Sequence, residues 1–308
     1  MKSVVKKYLG ESMLLLSALA FSFEWFFIRK LSNQGFTALD ITFGRAFFSM
    51  IIIAIFFPLI IKNFFRFSNI SKKELGYIVV IGLVTVCSAV LFNSAIKITT
   101  VANTLIIFYS CVFWGVLFGF LFLGEKSTKR KILYTFLAFI GIGLALLKDN
   151  KTLALTIGIG ELFALLASMF FSLDAIISRK VKNTNTFQRM FLIYFVMSSI
   201  TFLIIMITKG FTYFNGFFSY DFLLYAFALA FTCGFAGKGL MYLGINLVPV
   251  SIALVIMLIE PITQMSTAYM LADEKLSIIN IVGVFVVFLM VFLISKKEKG
   301  LVEAEELK

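Results

Sequence analysis

Five charged side chains lie inside long apolar stretches of this sequence. They are three acids and two bases: Glu24, Arg45, Asp174, Lys238 and Glu260. A charge at the middle of a bilayer costs at least about 2.5–3.5 kcal/mol on insertion scales, so each must be paired, hydrated or functional. Acids and bases together suit two kinds of chemistry: ion pairs that hold or gate helices, and binding of a solute that carries both charges.

Other kinds of chemistry lack the residues they need. The sequence has no histidine, which excludes Ser-His and Cys-His nucleophile pairs and His-ligated metals. It has no Gly-Lys-Ser/Thr phosphate loop to bind ATP. Cys87, Cys111 and Cys233 have the spacing of neither a zinc site nor a disulfide framework. We therefore expect no enzyme, no metal and no cofactor, with an intramembrane enzyme as the weakest alternative.

The composition is that of an integral membrane protein. Hydrophobic residues make up 61% of the chain and charged residues 14%, with a mean hydropathy of +1.02. Runs of about 18–22 apolar residues recur, each long enough to cross a hydrocarbon core about 30 Å thick as a helix. We predict an all-α membrane protein with ten transmembrane helices, at roughly 12–29, 39–61, 75–96, 101–123, 132–148, 157–178, 190–208, 222–243, 250–272 and 277–295.

The distribution of Lys and Arg predicts the orientation. With a cytoplasmic N-terminus, 19 of these 28 residues fall in inside segments and 7 in outside segments. We expect both termini to be cytoplasmic, in a bacterial plasma (inner) membrane, and the first run to be a span rather than a cleaved signal peptide. The net charge of +12 then reflects topology, so nucleic acid is not an expected partner, whereas anionic lipid is.

The chain contains an internal repeat. GESMLLLSALAFSFEWFFIRKL (10–31) aligns with GELFALLASMFFSLDAIISRKV (160–181), which places Glu24 and Asp174 at equivalent positions. YSCVFWGVLFGFLFLGEKSTKRKI (109–132) aligns in the same way with LIEPITQMSTAYMLADEKLSIINI (258–281). We predict two halves, 1–151 and 152–308, with five spans each. Because five is odd, the second half enters the membrane from the opposite side, which gives an inverted repeat.

Several short motifs accompany the ten spans and the repeat. They are Ala-Ile-Lys at 95–97, Gly-Ile-Asn at 244–246, Glu260–Pro261, Glu-Lys at 125–126 and 274–275, and Arg45 early in the second span. With these motifs the chain resembles the drug/metabolite transporter superfamily, EamA type. The resemblance covers nearly the whole chain and implies a secondary transporter that works by alternating access. The first half departs from the pattern, because it has Val112 where the second half has Pro261.

Helix rise gives each charge an approximate depth. Glu24 and Arg45 fall on the outer side of the midplane, Asp174 and Lys238 on the inner side, and Glu260 near the middle. The two pairs are either structural ion pairs or groups that face the substrate. Glu260 has no opposite charge at its own depth, which makes it the best candidate for proton coupling; the alternative is a neutral carboxyl bonded to helix backbone.

Some weaker candidates accompany these charges. Asn93 and Tyr109 are expected either to line a cavity or to bond to a neighbouring helix. The glycines of CGFAGKGLMYLG (233–244) favour a bent helix around Lys238. Glu125 and Glu274 precede helix starts and are interpreted as structural.

The leading functional prediction is export or exchange of a small polar metabolite, most simply amino acids, because the charges are mixed. Cationic drugs, choline-type amines and nucleotide-like metabolites such as S-adenosylmethionine are the alternatives, and a membrane scaffold or sensor is the non-transport alternative. The expected partners are the small-molecule substrate, membrane lipids and protons as the coupling ion.

Overall fold

The part of the chain that the structure describes is helical. A computed structural model describes residues 2–62, 64–67, 70–99, 101–124, 129–145, 158–182 and 184–264, with parts of 278–293, and its regular structure there is helical. Six stretches are long and apolar enough to cross a membrane: Tyr8–Asn33, Ala38–Ile60, Lys72–Ile98, Ile159–Ser178, Thr186–Lys209 and Tyr220–Ile245. The predicted all-helical membrane class is confirmed. The predicted span 277–295, the end of 250–272, Glu125 and Glu274 lie wholly or largely outside the described residues.

The α-helices that begin and end within the described residues up to 259 are numbered in chain order. They are α1 Lys2–Phe21, α2 Glu24–Asn33, α3 Ala38–Ile60, α4 Lys72–Ile98, α5 Val101–Phe108, α6 Cys111–Leu123, α7 Lys129–Ala145, α8 Ile159–Ser178, α9 Thr186–Lys209, α10 Tyr220–Leu229, α11 Lys238–Ile245 and α12 Val250–Ile256. Side-chain caps start several of them, such as Ser71 before α4, Asn185 before α9 and Ser219 before α10. Glycines with positive φ, Gly124 and Gly210, end α6 and α9.

Four of the predicted spans are interrupted helices. The interruptions are a turn at 22–23, a turn at 109–110, a π-helical segment at Ala230–Gly237 and a 3₁₀ segment at Met257–Ile259. Non-helical backbone at membrane depth is tolerated only where protein buries it or where it lines a water-filled cavity. Transporters place such broken helices around their binding sites, so these four positions indicate where to look for one.

The fourth and ninth spans break at equivalent places by different means. In the first half, the Ser110 amide bonds to the Ile107 carbonyl at 3.0 Å and the Val112 amide to the Tyr109 carbonyl at 3.2 Å, which tightens the turn without a proline. In the second half, Pro261 follows the 3₁₀ segment and has no amide hydrogen to donate to the preceding turn.

The helices of the two halves pack against one another in a reciprocal pattern. Helix α4 runs along α8, and α1 runs along α11; α3 pairs with α9, and α6 with α12. Glycines permit the closest approaches. A Cβ on Gly244 would lie 2.6 Å from Leu14 Cγ, and one on Gly82 would lie 2.6 Å from Val196 Cγ1.

A buried acid joins the two halves at the start of α3. Asp40 closes a capping box with Thr37 and is fully buried. Its carboxylate accepts hydrogen bonds from Lys209 Nζ at 2.9 Å and from the Tyr213 hydroxyl at 2.8 Å. Lys209 ends α9, so this cluster ties α3 to α9 at one end of the bundle.

Candidate functional site

One internal cavity brings together all five charges that the sequence singled out. Its volume is about 50 Å³, and its wall is formed by residues from both halves of the chain. Three of the four helix interruptions adjoin it. The turn at 22–23 precedes Glu24, the π segment precedes Lys238, and the 3₁₀ segment precedes Glu260. The charged residues in the wall are Glu24, Arg45, Asp174, Lys238 and Glu260.

The first ion pair joins α2 to α3. Arg45 Nη1 donates to Glu24 Oε1 at 2.6 Å, and both side chains are largely buried. Glu24 is the first residue of α2, because the helix restarts after the turn at 22–23. A carboxylate is favoured there by the free amides of a helix N-terminus, so the break helps to place the acid in the cavity.

The second ion pair joins α8 to α11 and is more elaborate. Lys238 Nζ donates to Asp174 Oδ2 at 2.6 Å, while the other carboxylate oxygen accepts from the Tyr242 hydroxyl at 2.7 Å and from Ser178 Oγ at 3.1 Å. The Lys238 ammonium also lies 4.7 Å from the centre of the Phe171 ring, which stabilises a cation there. Three donors thus hold one buried carboxylate.

Glu260 differs from the other acids, because it has no ion pair within the described residues. Its Oε1 accepts from Gln264 Nε2 at 3.0 Å, so the carboxyl bonds to a side chain rather than to helix backbone. The charges of Lys238 and Glu24 act on it across the cavity. The Tyr109 hydroxyl is buried near this carboxyl but does not meet hydrogen-bond geometry.

Asn93 and Tyr109 are not part of the cavity wall. Asn93 Nδ2 donates to Thr42 Oγ1 at 3.2 Å, so its side chain joins α4 to α3. Tyr109 lies in the turn between α5 and α6, against Phe108. Neither residue lines this cavity, and Asn93 makes the bond to a neighbouring helix that was the alternative for it.

The π segment that precedes Lys238 is held by side chains from neighbouring helices. A π-helix displaces carbonyls from the usual ladder, and here three of them find partners. Ser49 Oγ donates to the Ala230 carbonyl at 3.2 Å, the Tyr194 hydroxyl to Gly234 at 2.5 Å, and Ser17 Oγ to Gly237 at 2.8 Å. The expected bend around Lys238 takes this form.

We expect Gly234→Ala to destabilise the protein by about 1–3 kcal/mol, as overpacking does in a filled interior. A Cβ at Gly234 would collide with Ser49 Oγ, whereas one at Gly239 would meet nothing nearer than 3.6 Å. Thermal unfolding in detergent checks this, with Gly239→Ala as the matched control. Equal melting temperatures for the two variants would show that α3 and the π segment are not in close contact.

Two residues that contact the charged side chains could have been found from their spacing in the sequence. Ser178 lies four positions after Asp174, and Tyr242 lies four after Lys238. Residues four apart share one face of a helix, so both polar neighbours were predictable once the charges were recognised. Asp40 is the second residue of the predicted span 39–61 and Arg189 lies just before the predicted span 190–208, yet both are buried.

Comparison with known proteins identifies the family. The family model of the EamA-like transporter family matches residues 8–147 and again residues 158–296. The chain belongs to the EamA-like transporter family. Members of this family are transporters rather than enzymes, so this EamA-like chain is a multi-pass membrane transporter of small molecules.

A solved structure has a similar fold. A crystal structure described only as that of a protein is similar with a TM-score of 0.70 at 15% sequence identity, and the match covers 96% of this chain and 98% of that chain. Such a likeness shows a shared fold alone. No curated protein sequence matches this EamA-like transporter.

Proposed function

We propose that this transporter exports or exchanges a small zwitterionic metabolite, most simply an amino acid, by alternating access. The observation that carries the proposal is the mixed charge of one cavity, whose wall holds three acids and two bases. Glu260 has no ion pair within the described residues and suits an ammonium group, whereas a carboxylate would compete for Lys238 or Arg45.

The size of the cavity supports alternating access. Its volume of about 50 Å³ holds a few water molecules. Pockets that bind metabolites or drugs are larger, about 300–1,000 Å³, so the helices must separate before a solute enters. The Asp40 cluster clamps α3 to α9 at one end of the bundle, and we propose that it opens when the cavity is exposed on that side.

We propose ten spans in two inverted halves, 1–151 and 152–308, in a bacterial plasma membrane with both termini cytoplasmic. The Lys and Arg distribution supports the orientation. The reciprocal packing of α4 on α8 and of α1 on α11 supports inversion, because exchanging the roles of the two halves converts one contact into the other.

We propose that protons are the coupling ion and that Glu260 carries them. A carboxyl in the cavity wall that lacks an ion pair in the described chain is the group most free to take up and release a proton between the two open states. The pairs at Glu24 and Asp174 already have cations in contact.

A cationic solute is the second candidate, and a specific feature favours it. The wall holds one more acid than base, and it includes four phenylalanines whose rings attract cations: Phe21, Phe92, Phe108 and Phe171. Cationic drugs, choline-type amines and nucleotide-like metabolites such as S-adenosylmethionine fit that description. A scaffold or sensor would instead tolerate the joint neutralisation of Glu24, Arg45 and Glu260.

Thermal unfolding against a ligand panel separates these candidates. A ligand at 100 times its dissociation constant stabilises a protein by about 2.7 kcal/mol. We expect amino acids at millimolar concentration to raise the melting temperature of the wild type, and the active compounds to undergo counterflow in proteoliposomes. If only quaternary amines raise the melting temperature, the solute is a cation rather than a zwitterion. If no compound undergoes flux, the scaffold or sensor role is favoured over transport.

A further inference from the structure

Arg189 is a buried cation that the cavity does not account for. It lies in the first turn of α9 and is 1% exposed. Its Nη1 donates to the Ser178 carbonyl at 2.7 Å and to the Val181 carbonyl at 3.3 Å, while Nε and Nη2 have no partner in the described chain. No carboxylate of that part lies within ion-pair distance. A helix N-terminus also disfavours a cation, so its burial here needs a reason.

The anion linked to Arg189 is Asp174. The Arg189 guanidinium carbon lies 4.9 Å from the centre of the Tyr242 ring, and the Tyr242 hydroxyl donates to Asp174. Ser178 makes a second link, because its carbonyl accepts from Arg189 and its hydroxyl donates to Asp174. One side chain therefore separates Arg189 from the carboxylate that Lys238 now holds.

If the cavity binds a zwitterion, as proposed above, Asp174 needs a second cation. A solute carboxylate that takes Lys238 from Asp174 would leave Asp174 as a buried anion with only neutral donors. The free Nε and Nη2 groups of Arg189 match a carboxylate in bidentate geometry.

We propose that Arg189 is the alternative partner of Asp174. Lys238 holds Asp174 in the closed arrangement. When Lys238 turns to the carboxylate of the solute, Asp174 pairs with Arg189. Arg189 is then a positioning residue, which acts on the solute through Asp174 and Lys238. This inference rests on the proposed function for the identity of the solute, but the exchange of partners is testable without any solute.

A double-mutant cycle tests the exchange in the purified full-length protein. Lys238→Met and Arg189→Met each leave one cation for Asp174, whereas Lys238→Met/Arg189→Met leaves none. We expect the double variant to lose more melting temperature than the sum of the two single losses. Arg179→Met is the matched control, because Arg179 bonds to the Ile245 and Val248 carbonyls and should combine additively with Lys238→Met.

Each outcome decides the proposal. A double variant that cannot be recovered folded, while both single variants can, counts as the larger loss and supports it. Additive losses, or a Lys238→Met protein that does not fold, would overturn it. In proteoliposomes, Arg189→Met should raise the KM for exchanged solute at least about tenfold, and Arg189→Lys should restore part of it. Absence of flux would contradict the proposed function. The double-mutant cycle would still decide whether Asp174 exchanges Lys238 for Arg189.

Discussion

Replacing Asp174 by asparagine is expected to reduce solute exchange at least about thirtyfold. Removing one partner of a buried, hydrogen-bonded charge pair costs about 2–5 kcal/mol, and part of that cost falls on the orphaned Lys238. The amide keeps the shape of Asp174 but no longer attracts the ammonium 2.6 Å away. Counterflow in proteoliposomes is the measurement, and Asp221→Asn, an exposed acid in the first turn of α10, is the control.

A double replacement separates transport from folding at this pair. Asp174→Asn/Lys238→Met removes both charges and is expected to restore the melting temperature without restoring exchange, since a buried pair often contributes little net stability. Normal exchange in the double variant would show that the pair only holds α8 to α11. Glu24→Gln should likewise reduce exchange, because Glu24 is the equivalent acid of the first half and pairs with Arg45.

Replacing Glu260 by glutamine is expected to reduce accumulation driven by a pH gradient at least about tenfold. Solute-for-solute exchange should persist with a raised KM, because the amide no longer attracts the ammonium group of the solute. The amide has the shape of the protonated acid and can keep a hydrogen bond to Gln264, but it neither binds nor releases a proton. Uptake is measured with and without an imposed gradient.

A buried acid outside the cavity provides the control for Glu260. Glu161 caps α8 and accepts from Thr99 Oγ1 at 2.5 Å, and Glu161→Gln should keep its response to the gradient. If the Glu260→Gln protein still accumulates solute when a pH gradient is imposed, Glu260 does not couple transport to protons.

The buried charged residues were predictable, because an ionisable residue inside a long apolar run must lie at membrane depth. Glu24, Arg45, Asp174, Lys238 and Glu260 stand out against apolar neighbours, and the repeat assigns the first two acids to equivalent places. Their depths paired Glu24 with Arg45 and Asp174 with Lys238, and the structure forms both ion pairs. A charge in lipid has few possible partners, so the sequence constrains the pairing strongly.

Residues at helix ends and on rotated faces were not predictable in the same way. Asp40 and Arg189 lie where a span meets its loop, and only the packing of neighbouring helices decides that they are buried. For Asn93 the sequence left two positions open, the cavity wall and a bond to a neighbouring helix. Nearly every face of α4 is apolar, so the sequence of α4 does not fix the rotation of the helix. The turn at 109–110 could not be predicted from the sequence either, because it contains no proline or glycine.

The most direct test of alternating access is whether the cavity opens to both sides of the membrane. Cys233 lies in the cavity wall, and a protein with Cys87→Ser and Cys111→Ala keeps it as the single thiol. A small, membrane-impermeant methanethiosulfonate reagent is applied to proteoliposomes either outside or trapped inside, with Cys233→Ala as the blank. We expect modification of Cys233 from each side. Modification from one side only, or from neither side while the unfolded protein reacts, would contradict it.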